Sequence, residues 1–61
     1  MKWKREANDV WQLWSNTKVV ATIMYSGLNN NYKDDLGHTE LTLELAKEHR
    51  QNQLKQNGNN E

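Results

Sequence analysis

The chain has no cysteine, no proline and no phenylalanine, and its eight Lys and Arg are matched by eight Asp and Glu. Each absence excludes something. Without cysteine there is no disulfide framework and no thiolate metal site. A zero charge balance argues against a strongly basic nucleic-acid arm. Apolar residues make up 34% of the chain, below the roughly 45–50% of an average globular protein. Apolar runs such as Val19-Val20-Ala21 fall far short of the ~20 residues of a membrane-spanning helix. The start, Met-Lys-Trp-Lys-Arg-Glu, is followed by no apolar stretch and does not read as a secretory signal. Gly27, Gly37 and Gly58 are too scattered for a phosphate-binding loop. The expected setting is therefore the cytoplasm, with no membrane partner.

Sixty-one residues allow a single small domain, expected over residues 1–57 with a flexible tail at 58–61. A chain of about 60 residues buries only about 60% of the surface its unfolded form exposes. Without disulfides it needs an efficient core, a metal or a partner chain. Three Trp and two Tyr must supply much of the burial, at about 150–250 Å² per ring.

The first half reads as strand. Trp3 among Lys2, Lys4 and Arg5 suits a short edge strand, where charge discourages unwanted pairing. Ala7-Asn8-Asp9 and Ser15-Asn16-Thr17 are turn signals, since Asn and Asp bond to their own backbone and tolerate left-handed conformations. Between them Trp11 and Leu13 alternate with Val10, Gln12 and Trp14. Lys18 to Ser26 is rich in strand-forming types. Its more apolar face, Val19, Ala21, Ile23 and Tyr25, is assigned to the core; Val20, Thr22, Met24 and Ser26 face the other way. Two short turns joining three strands imply antiparallel hairpins, with a register open by one residue. Gly27 to Asn31 reads as loop. Tyr32 and Leu36 anchor a loop, or a fourth strand runs from His38 to Leu41.

The last third reads as helix. Thr42 is a candidate N-cap, with Thr39 the alternative. Leu43, Ala46, Arg50 and Leu54 share one stripe, with Leu45 beside it. His49, Arg50 and Gln53 stand where a core-facing helix would carry apolar residues. Gly58 is a stop signal. The expected fold is α+β: a three- to four-stranded antiparallel β-meander packed against one C-terminal α-helix.

Trp3, Val10-Trp11-Gln12-Leu13, Lys18 to Ile23 and Thr42-Leu43-Glu44-Leu45-Ala46-Lys47 together resemble a layout found among short bacteriophage and prophage accessory proteins. In these a Trp-rich meander precedes a Thr-Leu-Glu-x-Ala-Lys helix start. The resemblance covers Trp3 to Leu54 and rests on motifs that encode a fold more than a site, so no functional residue carries over. It implies a phage-encoded protein, working in the host cytoplasm, that binds and redirects a host or phage protein. The Asn-rich loop and the polar helix depart from the layout.

The residues offer little chemistry. Ser15 and Ser26 have only His38 and His49 as possible bases, with no orienting third group in view. Asp34, Asp35, His38 and Glu40 form the densest set of potential metal ligands. Cysteine is missing, and the spacing does not match a calcium-binding EF-hand loop. The expectation is no enzyme, no cofactor and no metal. Trp and Tyr are enriched among interface anchors, and one helix covers only one face of a sheet. The expected contact residues are therefore Trp3, Trp14, Val20, Met24 and Tyr32, with Lys4 and Arg5 at the rim. A homodimer is compatible with this. The alternative is single-stranded nucleic acid stacked on Trp3 and Trp14 beside Lys2, Lys4, Arg5 and Lys18, a reading that the zero net charge disfavours.

Overall fold

The computed structural model describes residues 1–59, with side chains through Lys55. Five strands lie in sequence order: β1 (Lys2–Ala7), β2 (Val10–Ser15), β3 (Lys18–Ser26), β4 (Asn31–Asp34) and β5 (Thr39–Glu40). Every neighbouring pair is antiparallel. One helix, α1 (Leu43–Asn59), follows and packs on β3, β4 and β5. The α+β meander-plus-helix expectation holds, with five strands in place of three or four. The Asn-rich stretch supplies the difference. Asn30 takes a left-handed conformation, φ 52°, which turns the chain within two residues of Tyr32 and lets Tyr32 pair with Tyr25. α1 continues past the stop expected at Gly58 to Asn59. A glycine inside a helix costs only about 1 kcal/mol, and helix ends are defined to within one or two residues. Of the tail expected at 58–61, the part at Asn60 and Glu61 lies outside the described residues.

Directly paired residues of an antiparallel sheet share a face. The register Trp3↔Leu13↔Ala21 and Arg5↔Trp11↔Ile23↔Asp34 thus sets one face, and Tyr25↔Tyr32↔Glu40 extends it. Leu13, Ala21 and Ile23, with Ala46 from α1, are the buried apolar core. These belong to the strand face and the helix stripe assigned to the core from the sequence. Val19, assigned to that same face, pairs instead with Trp14 on the side away from the helix, because the bulge at Val20 exchanges the two sides of β3.

The helix begins as expected. The Thr42 hydroxyl accepts the Leu45 N–H at 3.2 Å, and the Thr42 carbonyl accepts the Ala46 N–H at 3.1 Å. Its docking is polar. Leu45 is exposed, while Arg50 is buried. The cause lies in the sheet. β4 pairs with β3 only as far as Asp34, opposite Ile23, so the first half of β3 has no strand on that side. Carbonyls two residues apart point the same way. The Thr22 carbonyl accepts the Asp35 N–H at 3.0 Å, and the Val20 carbonyl accepts Arg50 Nη2 at 3.2 Å. Arg50 also donates to both Asp35 carboxylate oxygens, from Nε at 2.7 Å and from Nη2 at 3.2 Å. A helix side chain thus fills the place of a missing strand.

Burial alone would push the Asp35 carboxyl up, but its bonds to Arg50, the charge of that guanidinium and two backbone bonds together hold it below the usual 3.8. A carboxyl depressed in the folded state contributes stability above its unfolded pKa and loses it as pH falls through the folded one. Acidification should therefore lower the urea midpoint as pH drops toward and below 3.8, and Asp35→Asn should flatten that slope. An equal slope in the two proteins would show that the pair has no part in acid unfolding.

Candidate functional site

The seven expected contact residues divide between the two sides of the sheet. Trp14, opposite Lys2, lies away from the helix. So do Gln12↔Thr22 and Val10↔Met24, and Lys33, which pairs with Met24. Val20 is the extra residue of a β-bulge between the pairs Leu13↔Ala21 and Trp14↔Val19, and so stands beside Trp14. Lys4 pairs with Gln12 and holds its ammonium 5.0 Å from the Trp14 ring centroid, within cation–π range. Lys4, Trp14, Val20 and Met24 are thus together, as expected from the sequence.

Trp3, Arg5 and Tyr32 are not with them. Trp3 pairs with Leu13, and the Lys47 ammonium of α1 lies 5.7 Å from its ring centroid. Its position on the helix side is the work of a second bulge, between Arg5 and Ala7. Continued without a bulge from Ala7↔Val10, the hairpin would set Trp3 opposite Trp14; the extra residue moves it to Leu13 and so to the other face. Arg5 also lies on the helix side. Its guanidinium donates to the carbonyls of Ala7 at 3.3 Å and Asn8 at 3.1 Å, holding the first turn. Tyr32 packs its ring 5.0 Å from Tyr25 and 5.7 Å from Trp11. It is half-buried in an aromatic trio on the helix side.

The face away from the helix has Trp14 as its single aromatic. Val10, Gln12, Trp14, Val20 and Thr22 are half-buried and Met24 is 50% exposed. Lys2, Lys4 and Lys33 surround them. No carboxylate occupies an in-register position there among the described residues; Glu6 sits in the β1 bulge. No element among the described residues covers this face. The arrangement is an apolar strip with an aromatic centre and a positive border, fit for contact with a surface of opposite charge.

The acidic set from Asp34 to Glu40 does not act as one cluster. Asp34 is buried, and its Oδ1 accepts the N–H groups of Leu36 and His38, both at 2.9 Å. Asp35 is committed to Arg50. His38 and Glu40 remain, joined by His49 from α1, which no local sequence signal places beside them.

Neither a protein-family model, nor a curated protein, nor a solved structure matches this chain. Among the described residues no helix is long and apolar enough to cross a membrane.

Proposed function

We propose that this chain is a small protein-interaction module that binds through the sheet face opposite α1. The observation that supports this reading is the register that sets Trp14, Val20 and Met24 beside one another on a face that no element among the described residues covers. An aromatic set in an apolar strip with a charged border is the usual composition of a binding hot spot. Lys2, Lys4 and Lys33 define the partner's chemistry: an apolar protein surface or segment bordered by carboxylates. In the phage setting that the resemblance implies, the partner is a host or phage protein. The activity proposed is binding, not catalysis.

Single-stranded nucleic acid fits this face less well. Stacking platforms use successive aromatic rings, and with Trp3 on the helix side only Trp14 is left.

Affinity capture by the wild-type chain, by Trp14→Ala and by Leu45→Ala, each with and without nuclease, tests the reading. A hot-spot truncation costs at least about 2 kcal/mol, or roughly 30-fold in affinity. Trp14→Ala should therefore lose a partner that the wild type and Leu45→Ala retain, with its far-UV circular dichroism nearly unchanged. Met24→Lys, at a half-exposed position, should lose the same partner. Retention by both face variants overturns the reading. A partner lost only after nuclease moves nucleic acid ahead of protein, and capture of a second copy of the chain shows a homodimer.

A further inference from the structure

We infer that His38, Glu40 and His49 form a binding site for a zinc-class divalent transition-metal ion. The three side chains come from two elements: His38 and Glu40 from β5 and the residue before it, His49 from the second turn of α1. One donor atom from each lies within 4.8 Å of the other two. His38 Nε2 is 2.6 Å from Glu40 Oε2, and the two imidazole rings stack at 3.6 Å between centroids with 18° between planes.

The donor set suits the ion. Two imidazoles and one carboxylate form a recurrent zinc environment, with a remaining position open to water. Ligand bonds of about 2.0–2.2 Å in a tetrahedral shell place donors roughly 3.3–3.5 Å apart. The His38–Glu40 contact would open by under about 1 Å and the widest separation would close by a little more. Because a metal is bound in the plane of the ring, one imidazole must also swing out of the stack. The side chains of His38 and Glu40 are 40% and 28% exposed, so both have room to turn and water has access to the site.

The backbone on either side is already fixed. Gly37, at φ 89°, turns the chain into His38, and the Asp34 side chain holds the His38 N–H. Arg50, the residue after His49, is tied to Asp35 and to the Val20 carbonyl. These contacts fix the backbone that carries His38 and His49. Asp35 is engaged by Arg50, and Asp34 is buried with its Oδ1 held by backbone N–H groups, so Glu40 is the carboxylate grouped with the two imidazoles. A bound ion would clamp α1 to the two-residue edge strand β5, in a chain whose thin core has no disulfide to support it.

The test is calorimetric titration of the untagged chain with Zn²⁺, repeated for His49→Gln and Glu40→Gln. The inference predicts saturable one-to-one binding, a thermal midpoint raised by roughly 10–20 °C at a hundredfold excess over the dissociation constant, and on the order of 10-fold or greater loss of affinity in each variant. Glu40→Gln keeps the imidazole stack, so it remains informative if His49→Gln fails to fold. Absence of saturable binding, or binding that Glu40→Gln leaves unchanged, overturns the inference.

Discussion

Ile23→Ala should leave a large part of the population unfolded at room temperature. Ile23 is fully buried in the central strand, between Trp11 on one side and Asp34 on the other. Truncating a buried isoleucine costs about 2–5 kcal/mol, the larger values arising where neighbours cannot collapse into the cavity. Here they are held by strand pairing on both sides. A core of this size rarely supplies more than about 3–5 kcal/mol in all, so the loss is comparable to the whole stability. Urea denaturation should show the folded baseline shortened or absent. A loss under about 1 kcal/mol would mean that the sheet is held by something other than Leu13, Ala21, Ile23 and Ala46.

The second large effect is an asymmetry. Asp35→Ala should destabilise by about 2–3 kcal/mol, whereas Arg50→Met should cost about 1 kcal/mol. Removing Asp35 leaves a guanidinium with a side chain only 7% exposed and without its hydrogen-bonded counter-charge, with Asp34 alone acting on it from nearby, and a buried charge without a bonded partner is expensive. The figure stays below the 3–5 kcal/mol of a fully enclosed pair, because Asp35 is itself 38% exposed. Replacing Arg50 by Met removes the charge and fills the space, at the cost of leaving the Val20 carbonyl without its donor and the partly solvated Asp35 without its ion pair. Urea midpoints of the two variants decide the matter: a cost for Arg50→Met equal to or above that of Asp35→Ala would show that the helix is docked by the guanidinium's packing, not by its charge.

Much of this architecture is legible in the sequence because local signals agree. The β-branched run of β3, the turns at Asn8-Asp9 and Asn16-Thr17 and the Thr42 cap each have a short-range cause. The alternation of β2 and β3 correctly assigns Leu13, Ala21 and Ile23 to one face and Trp14 and Met24 to the other. The face of Trp3 is hidden, because a single bulged residue in β1 exchanges the two sides of a strand and Glu6 carries no mark of it. β4 is hidden, and β5 is legible only as the alternative to a loop, because Asn30 and Gly37 write their turns in residues that also write loops. Arg50 in the apolar stripe looks like a weakness until the vacant edge of β3 is known to need a donor. The meeting of His38 with His49 depends on where α1 crosses the sheet, which neither segment encodes alone.

The central claim is that the sheet face away from the helix is the working surface. Methyl-resolved NMR of the labelled chain, titrated with the partner captured by the wild type, tests it most directly. The account predicts that the methyls of Met24, Val20 and Val10 shift or broaden on binding, while those of the exposed Leu28, Leu36, Leu41 and Leu45 stay in place. Shifts confined to the leucines, with Met24 and Val20 unmoved, would contradict it and place the contact on the loops and the helix.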